Sequence, residues 1–238
     1  MKKILILVLL GLSVLAWPAR AQHKNFTVSI YVRAYEVEKM KDTQWLESTW
    51  KTISSQLDVE KIYLETHRDM LLVDDATLEK AKKFFQKQGL EVAGGITYTI
   101  SEPNDFETFA YSDPKDREWV KKVAETTARH FDEMLLDDFF FTSSKTDVEI
   151  AAKGDRSWTQ YRLERMNEAG RNLVVGPAKA VNPRVKVIIK YPNWYDDFQG
   201  LGFNLEWGRR SSTASGPARK PATRAATSTC RTTSATTL

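Results

Sequence analysis

The stretch 131–141 reads FDEMLLDDFFF, and its pattern determines how the rest of the chain is interpreted. A short apolar run of this kind is typical of a strand that is buried on both faces. The run ends in two carboxylates, Asp137 and Asp138, and three aromatic residues follow them. We therefore predict a buried strand over residues 131–138 whose carboxyl end is strongly polar.

Four further β-rich runs alternate with stretches of helical periodicity. N-cap residues mark helix starts, as at Asp113-Pro114, and Gly89 is a typical helix stop. We expect a disturbance at Pro177, because proline interrupts the helical hydrogen-bond pattern. The predicted strands cover residues 26–33, 61–65, 90–99 and 185–191, and the predicted helices cover 42–57, 75–89, a segment from 113 onward and 157–180.

Strands that alternate with helices predict a mostly parallel sheet with right-handed crossovers. We interpret residues 22–207 as an α/β domain, an incomplete TIM (β/α)8 barrel of about five β/α units. A doubly wound open sheet is the alternative. The barrel is favoured because no glycine-rich phosphate turn follows the first strand and because polar residues collect after several strands. In such a barrel, apolar residues would face the interior, among them Val28, Ile30, Leu64 and Ile189.

Residues 1–21 have the pattern of a signal peptide, with two lysines, an apolar run and small residues at Ala19 and Ala21. A membrane anchor is the alternative, but the run from Ile4 to Trp17 is shorter than the ~20 residues that span a bilayer. We therefore expect a periplasmic or secreted protein that keeps no stable membrane anchor after cleavage.

Residues 208–238 differ sharply in composition from everything before them. They are mostly Ser, Thr, Ala, Arg and Pro, without an acidic or aromatic residue, and such a segment cannot build a core. A natural disordered linker is one interpretation. We favour a frameshift near Trp207 that has truncated the barrel, because a shifted frame can encode another apolar strand and a further glutamate. On either interpretation we expect a disordered tail.

The basic net charge belongs to the two ends of the chain. The net charge of the whole chain is +4. Lys2, Lys3 and Arg20 supply +3 and the segment 208–238 supplies +6, so residues 22–207 carry a net charge of −5. The basicity is therefore no argument for binding nucleic acid or an anionic membrane. The one cysteine, Cys230, also lies in the tail, which leaves the domain without a thiol.

Asp137 and Asp138 are the first catalytic candidates. Two like charges at a strand end are costly unless a positive group or a substrate is near, and such acids are suited to acid-base or nucleophilic chemistry. A helix cap or a surface acid pair beside core phenylalanines is the structural alternative.

The sequence FDEMLLDDFFF resembles the fourth-strand segment of glycoside-hydrolase-like barrels from secreted bacterial proteins, in which a hydrophobic strand ends in Asp-Asp or Asp-Tyr before aromatic residues. The similarity extends more weakly over residues 26–206. It implies that Asp137 occupies the catalytic position and that Asp138 supports it. Glycosidases generally use two carboxyl groups. Glu65 is a candidate for the second, and a glutamate in the part lost by the frameshift is another.

Further candidates for substrate binding lie just after the strands. The aromatic ones could stack on sugar rings or simply pack a helix against the sheet. The basic pair after the second strand could bind a hydroxyl-rich substrate or be solvated, and the lysine after the fifth could neutralise the aspartates or cap a strand. These candidates are Arg33, His67, Arg68, Tyr98, Lys190, Tyr191 and Trp194.

The leading hypothesis is a glycoside hydrolase that acts on a poly- or oligosaccharide outside the cytoplasm and is inactive as truncated. A non-catalytic carbohydrate-binding barrel is the main alternative, and a periplasmic solute-binding protein is a weaker one, because no second lobe is evident. Three scattered histidines without a shared spacing argue against a histidine metal site. We expect no metal and no cofactor.

Overall fold

The computed structural model describes residues 26–192, residues 199–204 and the main chain of residues 235–237. The predicted signal peptide, Trp194 and most of the tail lie outside these residues. The strands are β1 (Ser29–Val32), β2 (Lys61–Arg68), β3 (Leu71–Leu72), β4 (Glu91–Ile96), β5 (Thr99–Ser101), β6 (Glu107–Thr108), β7 (Glu133–Leu136), β8 (Lys186–Lys190) and β9 (Ala235–Thr237).

The helices occupy the connections between the parallel strands. Each of the first three long helices begins at an aspartate whose side chain accepts hydrogen bonds from the first turn: Asp42, Asp74 and Asp113. Within the described residues, no helix is both long enough and apolar enough to cross a bilayer. The helices are α1 (Ala34–Lys39), α2 (Thr43–Gln56), α3 (Asp75–Lys87), α4 (Pro114–His130), α5 (Asp147–Lys153), α6 (Trp158–Ala169) and α7 (Gly176–Val181).

The helix predicted over residues 157–180 is divided in the structure. A π-helical segment, Gly170–Val175, separates α6 from α7, and the backbone N–H of Gly176 donates to the carbonyl of Arg171, five residues earlier. Pro177 has no N–H to donate, so regular α-helical pairing cannot continue through it. The predicted disturbance therefore begins seven residues before the proline.

The five predicted strands are confirmed, and all five are parallel. The sheet order is β1-β2-β4-β7-β8, so each parallel strand pairs with the next one along the chain. A (β/α)8 barrel has this sequential order, whereas a doubly wound sheet reverses direction at a switch point. The order agrees with a barrel but does not require one, because an open sheet wound in one direction has it too.

The short strand β9 lies in the segment for which disorder was expected. It pairs antiparallel with β8, with Ala235 opposite Lys190 and Thr237 opposite Ile188. Disorder of the tail stays a prediction, because the rest of residues 208–238 lies outside the described residues. Strand pairing uses main-chain groups, so a segment too polar to form a core can still add to an open sheet edge.

The two faces of the sheet differ in polarity because successive strand residues point to opposite sides. On the helix side, Leu64 packs in the same cluster as Leu78 and Phe85 of α3, and Ile189 packs in the cluster that contains Val120 of α4. The expectation that Leu64 and Ile189 face a barrel interior is therefore wrong. Ile30 likewise packs against the α3 cluster.

The other face of the sheet is lined by polar side chains that bond across the strands. Near the amino ends of the strands, the Nζ atom of Lys61 lies 2.6 Å from Oε1 of Glu133, which also accepts from the Tyr63 hydroxyl at 2.9 Å. Nζ of Lys186 donates to the second oxygen of Glu133 at 3.1 Å.

A second polar cluster lies at the carboxyl ends of the strands, where β/α proteins place their functional residues.

Candidate active site

Glu65 is the centre of the polar cluster at the carboxyl ends of the strands. It lies near the end of β2 and is completely buried. Its Oε1 atom accepts from the Tyr31 hydroxyl at 2.8 Å, from Nη2 of Arg68 at 2.9 Å and from the Thr97 hydroxyl. Its Oε2 atom accepts from the backbone N–H of Ala34 at 2.6 Å and from Nε of Arg68 at 2.8 Å. Five donors thus compensate for its desolvation.

The local backbone explains why these groups converge. The β2–β4 register shifts between Glu65 and His67, and such an irregularity redirects side chains at a strand end. On the neighbouring strand, Gly95 leaves room for the side chain of Tyr31, because a Cβ atom at Gly95 would lie 2.6 to 2.8 Å from two of its ring carbons and its hydroxyl oxygen. The tyrosine hydroxyl can therefore reach Glu65.

Arg68 connects Glu65 to the other acidic groups of the site. Its side chain is only 7% exposed, and it makes two hydrogen bonds to Glu65. Its Nη1 atom donates to Glu102, and its Nη2 atom lies 3.7 Å from Oδ2 of Asp137. One guanidinium therefore contacts three carboxylates, which come from β2 itself, from the turn after β5 and from the residue after β7.

Asp137 and Asp138 follow β7 and share a lysine. Nζ of Lys190, at the end of β8, lies 2.7 Å from Oδ1 of Asp137 and 3.2 Å from Oδ2 of Asp138. Burial and then the charge of Asp137 raise the pKa of Asp138 above its ordinary value. Burial lowers the pKa of Lys190, but its bonds to the two aspartates outweigh that effect, and the pKa is raised overall.

Tyr31 is also influenced by this negative charge. Burial, followed by the charges of Glu65 and Asp137, raises the pKa of Tyr31 well above its ordinary value. The phenol therefore remains a neutral hydrogen-bond donor to Glu65. Tyr31 was not among the candidates from the sequence, and only its place in β1, alternating with Ile30 and Val32, signals that it faces the same side as Glu65.

The structure brings five of the candidate residues together: Glu65, Arg68, Asp137, Asp138 and Lys190. Arg33 follows β1 at the same end of the sheet, but its guanidinium is exposed and pairs with Glu36 at 3.1 Å. The next residue, Ala34, does contribute to the cluster, because its backbone N–H donates to Glu65.

His67 lies in the protein core, although the sequence made it a candidate for binding substrate. Its Nδ1 atom is 2.8 Å from the carbonyl oxygen of Thr97, and its Nε2 atom accepts from the indole N–H of Trp119 at 3.0 Å. Burial lowers the pKa of His67 to about 4, so the ring is neutral at pH 7. A fully buried ring with both nitrogens engaged cannot contact a ligand.

Tyr98 and Tyr191 are also buried. The Tyr98 hydroxyl donates to the carbonyl of Val120 in α4 at 3.1 Å, so this side chain packs on the helix side of the sheet. Tyr191 packs with Phe203, with ring centroids 5.9 Å apart. Both tyrosines therefore pack in the core, as the structural alternative predicts, rather than offering an exposed ring on which a sugar could stack. Trp194 lies outside the described residues.

The site as described is an acidic cluster with two cations. Within residues 26–192 and 199–204, no group of three or more His, Cys, Asp and Glu side chains is placed to hold a metal ion. Glu102, which the sequence did not single out, joins the cluster through Arg68. Partly exposed carboxylates beside a buried, hydrogen-bonded frame can provide acid-base or nucleophilic chemistry.

Comparison with known proteins assigns the chain to a family. Residues 16–211 match the model of a family described as "Probable glycosyl hydrolase, catalytic domain". The chain belongs to this family. It is 32% identical over 213 residues to an uncharacterized protein of Saccharolobus solfataricus, an alignment that covers 77% of this chain.

The match covers only 35% of the relative, so the chain spans about a third of the length of the curated protein that it matches. No solved structure matches the chain. The glycoside-hydrolase-like character that the strand-four resemblance implied is confirmed by the family. The relative is archaeal, so the likeness is not confined to bacterial proteins.

Proposed function

We propose that this domain hydrolyses glycosidic bonds in a poly- or oligosaccharide, with carboxylates as the reacting groups. The observation that carries the proposal is the position of Asp137 and Asp138. They lie at the carboxyl end of a parallel strand, beside Lys190 and a buried Glu65–Arg68 pair, in a chain of a glycosyl hydrolase family. Glycosidases use two carboxyl groups at the scissile bond.

The two aspartates have environments that suit different roles. Asp137 contacts two cations, Lys190 at 2.7 Å and Arg68 at 3.7 Å, so we assign it as nucleophile or stabiliser of the positive transition state. Asp138 contacts the same Lys190 at 3.2 Å, and burial and the charge of Asp137 raise its pKa, so we assign it a supporting role beside Asp137.

Glu65 has a supporting role in this proposal rather than a catalytic one. It is completely buried, and its oxygens are already engaged by five donors. A carboxylate in that state is poorly placed to attack or protonate a sugar. It fixes Arg68, which in turn faces Asp137.

The test is an Asp137→Asn substitution, with Asp132→Asn as a matched control on an exposed aspartate that pairs with Arg184. Reducing ends released from starch, cellulose, xylan, chitin and β-1,3-glucan are measured together with binding in affinity gels. We expect the Asp137 variant to lose at least about 100-fold in turnover and to retain binding. Turnover that survives Asp137→Asn would contradict the assignment, and sugar binding without turnover in both the 238-residue chain and its frame-restored form would favour a non-catalytic carbohydrate-binding barrel.

We also propose that the domain is part of a (β/α)8 barrel that acts outside the cytoplasm. The sequential order of the five parallel strands supports the barrel, and the pattern of residues 1–21 supports export. The frameshift near Trp207 remains our interpretation of the composition after that residue. Sequencing the gene past the codon for Trp207 tests it directly.

A further inference from the structure

An exposed aromatic pair lies beside the two aspartates. Phe106, in the turn between β5 and β6, is 47% exposed although it is a large apolar side chain. Its ring stacks on Phe139 at a centroid distance of 5.3 Å and an interplanar angle of 21°. Phe139 directly follows Asp138 and packs against the main core cluster. Since Phe139 covers one face of the Phe106 ring, the exposed surface lies on the opposite face and the edge.

The backbone holds Phe106 in a conformation that bulky residues rarely adopt. Asp105 and Phe106 have φ angles of 51° and 53°, in the left-handed region. The turn is closed by bonds from the Phe106 N–H to the Glu102 carbonyl at 3.2 Å and from the Glu107 N–H to the Asn104 carbonyl at 3.1 Å. Strained residues of this kind persist only where the surrounding structure holds them in place.

The turn is attached to the acidic cluster itself. Glu102, at its start, accepts from Arg68, the arginine that faces Glu65 and Asp137. The Glu102 N–H donates to Asp69 Oδ1 at 2.9 Å. On the far side, the Ser143 N–H donates to Thr108 at 3.0 Å, which ties the hairpin to the segment after β7. Phe106 is therefore held at the border of the candidate active site from both sides.

We infer that Phe106, backed by Phe139, is a stacking subsite for one pyranose ring of the substrate, next to the ring whose bond is cleaved. The inference rests on the proposed function. A sugar ring presents flat C–H faces that pack on an aromatic face, while its hydroxyls stay in water or bond to nearby polar groups. An exposed aromatic ring stacked on the residue that follows Asp138 suits such an amphipathic sugar ring, whereas a protein partner would be expected to cover a larger apolar area.

The test compares Phe106→Ala with Phe106→Trp, which keeps a flat ring at the same place. Phe26→Ala is the matched control, because Phe26 is 60% exposed and precedes β1 at the opposite end of the sheet. Binding of maltohexaose, cellohexaose, xylohexaose, chitohexaose and laminarihexaose is measured calorimetrically in the Asp137→Asn background, where hydrolysis cannot interfere. Thermal melting of each variant checks that it is folded.

We expect Phe106→Ala to weaken binding of the hexasaccharide that the parent binds by about tenfold, and Phe106→Trp and Phe26→Ala to change it less than about twofold. If Phe106→Ala binds like its parent while Asp137→Asn still abolishes hydrolysis, the subsite is wrong and the proposed function stands. If neither the 238-residue chain nor its frame-restored form binds or hydrolyses any of these sugars, both the subsite and the proposed function are wrong.

Discussion

The guanidinium of Arg68 binds the carboxylate of Glu65 with two parallel hydrogen bonds, of 2.8 Å from Nε and 2.9 Å from Nη2. The two residues are three positions apart on β2, and the irregular register after Glu65 allows both to point toward the same cluster. A bidentate pair buried in this way is rigid, and it orients Arg68 toward Asp137.

Removing the arginine should destabilise the fold far more than removing an exposed one. Arg68→Met leaves Glu65 buried without its main partner, and we expect a loss of about 3–5 kcal/mol in the free energy of unfolding. Arg33→Met is the matched control, because Arg33 is 54% exposed and pairs with Glu36, and it should cost less than ~1 kcal/mol. Urea denaturation measures the free energy of unfolding of both variants. Equal losses would show that the buried pair stabilises the fold no more than the exposed pair does.

His67 should make stability depend on pH in the acid range. Its pKa is lowered by burial from 6.5 to about 4, so the unfolded chain binds a proton between these values that the folded chain rejects. The contribution is fully present above pH 6.5 and is lost as pH falls toward 4, by about 3 kcal/mol at ~1.4 kcal/mol per pH unit.

A His67→Gln variant separates this contribution from that of the carboxylates, since glutamine can still donate and accept but does not titrate. Between pH 7 and pH 4 we expect the variant to lose about 3 kcal/mol less stability than the parent. The measurement is a series of urea melts from pH 4 to pH 7. Parallel curves for parent and variant would disprove the assignment of the acid sensitivity to His67.

Two adjacent glycines of β4 offer a matched pair of probes. A Cβ atom at Gly94 would meet Thr127 and Phe131 on the helix side, whereas one at Gly95 would meet Tyr31 on the polar side. We expect each alanine variant to lose about 1–3 kcal/mol of stability through overpacking.

Only Gly95→Ala should also impair hydrolysis, because displacing Tyr31 removes a donor from Glu65. Melting curves and the reducing-end assay on both variants test this difference. If Gly94→Ala loses as much activity as Gly95→Ala, the loss of hydrolysis is not specific to the displacement of Tyr31 on the polar side of β4.

The proposed frameshift near Trp207 predicts that a chain with the other reading frame restored after that codon is more stable. In the described part of the sheet, β1 pairs only with β2, and an edge strand left open in this way promotes aggregation. The proposed (β/α)8 barrel would need ~250 residues, and residues 22–207 would supply about five of its eight units. We expect the restored chain to be more soluble, to melt cooperatively and to be the active form. Equal melting and turnover in the 238-residue chain would refute the truncation hypothesis.

The sequence by itself determined the alternation of five strands with helices and the position of the acidic pair after β7. These follow from local rules: apolar runs predict strands, N-cap aspartates start helices, and polar residues after parallel strands meet at one edge. Asp137 and Lys190 could be predicted as neighbours for this reason, and the structure places their charged atoms 2.7 Å apart.

Only the tertiary structure decided which side chains join the acidic cluster. His67 and Glu65 lie two residues apart on β2, yet one is bonded to Trp119 in the core and the other to Arg68 in the site. The difference arises from the register shift between them, which depends on pairing with β4 and not on the sequence of β2 alone. The same holds for Phe106, which becomes part of a surface beside Asp138 only because the hairpin folds back onto Phe139. Local patterns determine which residues form a strand, but contacts between strands determine where its side chains point.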